Sequence, residues 1–421
     1  MRICLVAEGC YPYIVGGVSS WIQSLITNLS EFEFSLIVLN PEKKMKGKFK
    51  YELPENVVEI QEYFFDEMLE GRGKWNRKIS IRHSEINALR KLFVGEHIDW
   101  NVLFDMFYRL KYENITAVDF VLSKTFYELI QESYEEKYEN IPFTDIFWTL
   151  RTMYIPLFSL LEYDYPEADI YHCVSTGYAG IVGAYASKIK GKPMMLTEHG
   201  IYTREREEEI LKSDWVEGHF KNMWINFFKL MSDAAYVRAE DVVSLFQRNK
   251  DIQVELGCDR DKISVIHNGV KLENFRQVVK RKKGPGEPVL VVGIVRVVPI
   301  KDIMTMLQTF SVVEKKRDNV EFLIIGPTDE NEEYYDSCIQ YMEYLGLKKV
   351  TFTGRIDIRE RLGEVDIHVL TSISEGQPLT VLETMACKIP NVTTNVGDCH
   401  SMIYGNDDDY GKAGKVVGVM D

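Results

Sequence analysis

The segment Ser372–Ala386, SISEGQPLTVLETMA, places two carboxylates eight residues apart around a Gly-x-Pro turn. A strand-like run, Asp366–Thr371, leads into it; Gly376 provides the turn, and Pro378 stands where a helix favours proline. A helix beginning there leaves the N–H groups of Leu379 and Thr380 free for a phosphate, with Glu375 before them and Glu383 on the following turns available for sugar hydroxyls. Simple capping explains Glu375 as well, but not the apolar approach, Pro378 and the second carboxylate together. A second segment, Gly293–Asp302 (GIVRVVPIKD), puts Arg296 and Lys301 between a strand and a helical stretch. Two cations at a helix N-terminus can neutralise a departing diphosphate. On spacing alone, a pair of surface cations is an equal reading.

Two further candidates lie in the first half. Thr197–Arg206, TEHGIYTRER, follows the apolar run Pro193–Leu196, so His199 is expected at the carboxyl end of a strand, where parallel sheets bind ligands. Most lone histidines are structural, but Glu198, Arg204, Glu205 and Arg206 make the surroundings too polar for a core. Glu8–Gly17, EGCYPYIVGG, sets Gly16 and Gly17 before the helical pattern Val18–Leu29, a turn with free N–H groups. That signal is weak by itself, and the GxGxxG fingerprint is absent. Asp407–Asp409 has the form of a DxD metal triplet but sits in a Gly-Asn-Asp turn, which reads as a solvated loop. No metal is expected.

These residues need parallel strands to position them. Apolar runs at Arg2–Ala7, Phe34–Leu39, Asp169–Val174, Pro193–Thr197 and Ala234–Val237 predict one sheet. Runs at Val289–Val295, Val320–Ile325, Val350–Thr353, Asp366–Thr371, Asn391–Thr394 and Lys415–Val419 predict another. Amphipathic stretches between the runs give the βαβ rhythm of an α/β fold with two Rossmann-like domains. The Lys-rich, Gly-Pro-Gly segment 277–288 has the composition of a linker, dividing an N-terminal domain, 1–276, from a C-terminal one, 289–421. Residues from about 62 to 165, rich in Phe, Tyr, Leu, Glu and Lys at helical spacing, form a helical insertion in the first domain.

With 421 residues, 45% hydrophobic and 27% charged, the chain is long enough for two or three soluble domains. No stretch approaches the ~20 apolar residues of a membrane span, and the start does not have the layout of a signal peptide, so a cytoplasmic protein is expected. Seven scattered cysteines without a CxxC pair argue for reduced thiols. A net charge of −14 disfavours nucleic acid as a partner. The basic runs Lys43–Lys50 and Lys280–Lys283 read as solvated faces, with contact to anionic lipid or a partner subunit as the sharper alternative.

Taken together, Glu8–Trp21 (EGCYPYIVGGVSSW), Thr197–Glu207, Val295–Asp302, Ile324–Glu330 (IIGPTDE) and Ser372–Ala386 resemble glycosyltransferase family 4, and within it the branch serving Pel exopolysaccharide synthesis. The resemblance spans both halves. It implies the GT-B fold, two Rossmann-like domains facing a central cleft, and the E-x7-E pattern of retaining enzymes in Glu375 to Glu383. It implies a UDP-sugar donor, UDP-glucose first, with no cofactor and no metal, and a growing polysaccharide as acceptor. Gly17, Arg296 and Lys301 would hold the diphosphate, His199 would lie by the transferred sugar, Glu375 on its hydroxyls and Glu383 on the ribose. Membrane-embedded subunits of an export complex would be partners, holding the protein at the inner face of the membrane. His267 and Lys388 depart from the family pattern as loop variation, and the stop at Asp421 reads as a C-terminal truncation of the fold. Two other classes remain open. A UDP-sugar epimerase of the same fold needs no acceptor, and a noncatalytic nucleotide-sugar-binding subunit would not need His199, Arg296, Lys301, Glu375 and Glu383 as a full set.

Overall fold

The structure is a computed structural model and describes residues 1–69, 73, 78–405 and 411–420. It divides into two compact units, Met1–Val265 and Ile266–Asp421.

In the first unit seven strands form one parallel sheet: β1 (Arg2–Glu8), β2 (Glu33–Asn40), β3 (Val57–Phe64), β4 (Ile170–Cys173), β5 (Met194–Glu198), β6 (Asp241–Ser244) and β7 (Ile263–Val265). Their order is β3-β2-β1-β4-β5-β6-β7. The direction of winding reverses between β1 and β4, paired in register from Ile3 with Ile170 to Val6 with Cys173, and the exits of these strands are where such a sheet opens a ligand site. β1 and β2 are almost continuously buried because both faces are covered. One face packs Ile22, Ile26, Phe34 and Leu36; the other packs Val6, Ile37 and Leu39 against the helices of the insertion.

The insertion runs through helices Phe65–Leu69, His83–Phe93, Trp100–Tyr112, Ala117–Val121, Lys124–Ser133 and Phe143–Leu160. Its Phe93, Phe107, Phe120, Phe126 and Phe158 are buried in one core with the sheet, so the aromatic stripe serves packing.

The second unit repeats the plan with six parallel strands: β8 (Val289–Ile294), β9 (Val320–Ile325), β10 (Val350–Gly354), β11 (Ile367–Leu370), β12 (Asn391–Thr394) and β13 (Gly414–Val417), in the order β10-β9-β8-β11-β12-β13. Here winding reverses between β8 and β11, where Ile367 and His368 pair with Val291 and Val292.

Three expectations change. Ala234–Val237 is not a strand; it lies in helix Lys221–Arg238, whose buried face includes Ala234, Ala235 and Tyr236, and the strand follows at Asp241. A four-residue apolar run cannot separate the two periods. Val57–Phe64 is an edge strand that was not expected, because Glu59, Gln61 and Glu62 break up its apolar run; its end overlaps the expected start of the helical insertion at about 62, whose helices begin at Phe65. The segment 277–288 is no free tether. Arg281 N donates to Gly363 O at 2.8 Å, Lys283 Nζ donates to Pro288 O at 2.6 Å and pairs with Asp366, and Val278 packs beside Phe275 and Leu362. Residues 266–288 therefore belong to the second unit.

Candidate active site

At the winding reversal of the second unit the loops after β8 and β11 are tied together. Ile373 N donates to Ile300 O at 2.9 Å, and Thr371 Oγ1 donates to the carbonyls of Lys301 and Asp302, each at 3.0 Å. Asp302 in turn caps helix Ile303–Lys316 through Thr305 N at 3.1 Å. This frame fixes Lys301, whose Nζ donates to Glu375 Oε1 at 2.6 Å; Ser372 Oγ donates to the same oxygen at 2.6 Å. The ion pair is nearly enclosed, with side chains 16% and 11% exposed. No hydrogen bond within the described residues uses Glu375 Oε2.

Arg296 and Lys301, both expected at a diphosphate, thus already have carboxylate partners: Arg296 Nη1 lies 2.8 Å from Glu330 Oε2 in a more exposed pair.

The helix after the loop is Leu379–Ala386, and Pro378 is its N-cap rather than its first residue. Among the described residues no side chain caps it, which leaves the first-turn N–H groups of Leu379 and Thr380 without a capping acceptor there. Glu383, on this helix, has no hydrogen-bond or ion-pair partner among the described residues, and burial pushes its carboxyl up to about 7. The turn at Gly376 is not left-handed; that geometry falls to Gly397, at φ +54°, where a Cβ would lie 2.1 Å from Gly376 O. Asp398 N donates to Gly376 O at 2.9 Å, and Gln377 Nε2 donates to Asp398 Oδ2 at 2.7 Å while Gln377 Oε1 accepts from Asn268 N. Gln377, Gly397 and Asp398 brace the Glu375 loop, a role no spacing in the sequence signals.

In the first unit the exits of β1, β4 and β5 meet. Gly16 is the extended N-cap of helix Gly17–Asn28, and a Cβ on either Gly16 or Gly17 would meet nothing within 4 Å, so the fold itself does not demand glycine at either position. His199 follows β5, with the Trp21 ring edge-on at a centroid distance of 4.6 Å. Burial, with His172 nearby, depresses its imidazole to about 4, so it is neutral at pH 7. Its Nε2 is buried and has no hydrogen-bond partner among the described residues.

The expectation that the residues around His199 are too polar for a core is corrected for Glu198, which is 1% exposed. Its polarity is answered inside the protein, as is that of half-buried Glu8, whose carboxylate accepts from Tyr202 OH at 2.9 Å and Ala179 N at 3.2 Å. Burial raises both carboxyls.

All seven cysteines are free. Among the described residues no three His, Cys, Asp or Glu side chains gather as around a metal ion, and Asp407–Asp409 lies outside the described residues. No helix among the described residues is long and apolar enough to cross a membrane.

Residues 1–261, more than half of the chain, match the family model described as domain of unknown function DUF3492. The chain belongs to that family. Residues 287–416 match the model of glycosyl transferases group 1, so the second unit is a domain of that kind. Among curated proteins the chain is similar to the UDP-Gal:alpha-D-GlcNAc-diphosphoundecaprenol alpha-1,3-galactosyltransferase of Escherichia coli, 27% identical over 59% of this chain and 63% of that protein. It is also similar to the N,N'-diacetylbacillosaminyl-diphospho-undecaprenol alpha-1,3-N-acetylgalactosaminyltransferase of Campylobacter jejuni, 26% identical over 45% and 52%. The chain thus spans about half to under two thirds of the length of these relatives. Among solved structures, Anabaena HepE in complex with UDP and glucose superposes with a TM-score of 0.56 at 15% identity, covering 100% of this chain and 86% of that one. Sucrose-phosphate synthase of Thermosynechococcus elongatus gives 0.57 at 14%, with the same coverage. At these identities the likeness concerns the fold, two parallel-sheet Rossmann-like domains of GT-B type.

Proposed function

We propose that this protein is a retaining glycosyltransferase that transfers a hexose from a UDP-sugar, UDP-glucose first, to a growing exopolysaccharide, in the manner of PelF of Pel synthesis. The observation that carries the proposal is the Lys301–Glu375–Ser372 cluster at the β8/β11 exits, directly before an uncapped helix that carries the unpartnered Glu383. A nucleotide sugar supplies what each group lacks. Its diphosphate gives the Leu379 and Thr380 N–H groups an acceptor and brings charge to Arg296 and Lys301. A sugar hydroxyl can donate to Glu375 Oε2, already oriented by two bonds to its other oxygen, and the ribose hydroxyls can donate to Glu383. The absence of side chains at Gly16 and Gly17 leaves room for ligand oxygens. His199 acts at the transferred sugar, and its neutrality adds no positive charge where oxocarbenium character develops. The E. coli relative's donor is a UDP-sugar by name, which supports UDP as the nucleotide.

In this reading the diphosphate is neutralised by Arg296, Lys301 and the helix end without a divalent metal. The protein works in the cytoplasm, at the inner face of the membrane through membrane-embedded partner subunits. Incubation with UDP-glucose and an oligosaccharide acceptor, followed by NMR, is expected to yield UDP and an α-linked product, with EDTA having no effect. Interconversion of UDP-sugars without acceptor would replace transfer by epimerisation. Loss of turnover in EDTA, restored by magnesium or manganese, would overturn the metal-free account.

A further inference from the structure

Glu198 closes β5 immediately before His199, and four donors from four separate segments converge on its buried carboxylate. Oε1 accepts from Tyr202 N at 3.1 Å and from Thr176 Oγ1 at 3.4 Å. Oε2 accepts from Tyr236 OH at 2.7 Å and from Gln253 Nε2 at 2.8 Å. Every one of these partners is neutral. A carboxylate without a cation is costly to bury, and only a group that accepts at all of its lone-pair positions can satisfy four donors at once. The backbone N–H of Tyr202 cannot reverse direction, and Thr176 Oγ1 already accepts from Ser232 Oγ at 2.9 Å.

The bond to Tyr202 N has a specific consequence. Residues 198 and 202 are the two ends of the short loop carrying His199, so one side chain closes that loop on itself, while Tyr236 and Gln253, on helices Lys221–Arg238 and Gln247–Glu255, hold the clamp in place. The far end is anchored again through the Tyr202 side chain, whose phenol donates to Glu8 and whose ring packs on Gly177. Gly177 sits at φ +58°, and a Cβ there would lie 2.2 Å from Tyr202 Cζ. Opposite the loop, Trp21 meets the imidazole edge-on.

We infer that Glu198 is a positioning residue for His199: it locks the loop 198–202 so that the imidazole is presented in one orientation beside Trp21 and His172. The clamp itself is independent of any reaction. Its importance for sugar transfer rests on the reading of His199 given under Proposed function.

The experiment uses the full chain, labelled in its histidine side chains, with the His199 signals assigned from the spectrum of His199→Ala. In the parent, His199 is expected to titrate near 4, as is His368 of the second unit, which serves as an internal control. In Glu198→Gln the His199 transition is expected to move by a unit or more toward 6.5 or to split into several environments, while His368 does not move. Tyr236→Phe, which removes one donor and leaves the carboxylate, is expected to change His199 in the same direction by less, and serves if Glu198→Gln does not fold. A single, unshifted His199 titration in Glu198→Gln, or in Tyr236→Phe if the first variant is unfolded, overturns the inference. In the transfer assay Glu198→Gln is expected to lower kcat about tenfold with UDP affinity within twofold, and to lower it no further in a His199→Ala background. Multiplying effects in the double variant would show that Glu198 does not act through His199. Absence of transfer by the parent protein would defeat the transferase reading while leaving the NMR result to decide the clamp.

Discussion

Glu198 in the first unit is fully buried and Glu383 in the second is half-buried, and the protein treats the two carboxyls in opposite ways. Four donors surround Glu198; none within the described residues reaches Glu383, and burial alone pushes its carboxyl up to about 7. A buried acceptor whose lone pairs are all used by the fold holds a loop in place, whereas a half-buried one with no protein donor retains capacity for a ligand. The contrast extends to the neighbourhoods: neutral His199 beside neutral donors in one unit, paired cations at a helix N-terminus in the other.

The largest effect is expected at Lys301. Replacement by Ala removes the cation from a nearly enclosed ion pair and leaves Glu375 held by Ser372 alone, so under the proposed function a diphosphate would lose a charge and Glu375 its orientation toward the sugar. Steady-state kinetics and calorimetry should show turnover down by ~100-fold or more and UDP affinity down by ~10-fold, the range expected for charge-assisted bonds worth about 1.5–3 kcal/mol. Parent-like values for both would place the diphosphate elsewhere.

Glu383→Gln sharpens the comparison, because affinity and stability should move in opposite directions. The folded chain keeps the Glu383 proton up to about pH 7, whereas the ordinary carboxyl loses it near 4.5, so the native group costs stability progressively as pH rises between those values and fully above them. The amide removes that cost. Urea titrations should show the variant more stable than the parent by roughly 2 kcal/mol at pH 8 and equal to it near pH 4, while UDP binds about tenfold more weakly. A pH-independent difference would mean that Glu383 is satisfied after all.

The smallest effect belongs to Arg296. Its pair with Glu330 is open to solvent and contributes little to the fold, so Arg296→Ala should leave the melting temperature within a degree or two and weaken UDP binding about three- to tenfold, more at low salt than at high. An unchanged UDP affinity would leave Arg296 as a surface cation.

Much of this was legible in the primary structure. β-branched runs marked most strands because parallel strands covered on both faces must be apolar along their length. The loop bearing Glu375 was marked by Gly376, Pro378 and the second carboxylate. What could not be read was pairing at long range. Lys301 and Glu375 lie 74 residues apart and meet only because β8 and β11 are neighbours, and Gln377 with Asp398 is invisible for the same reason. Composition misled where packing overrode it. The lysines and glycines of 277–288 suggested a tether although Val278 and Lys283 hold the segment down, and the charges of Thr197–Arg206 suggested an open site although Glu198 is enclosed.

The central claim, that the β8/β11 loops form the reacting end of a nucleotide-sugar site, is tested most directly by Glu375→Gln. The substitution keeps shape but weakens the ion pair with Lys301 and the acceptor offered to a sugar hydroxyl, so turnover should fall about a hundredfold with UDP affinity within a few-fold of the parent. A folded, UDP-binding Glu375→Gln variant that transfers sugar at the parent rate would contradict the account.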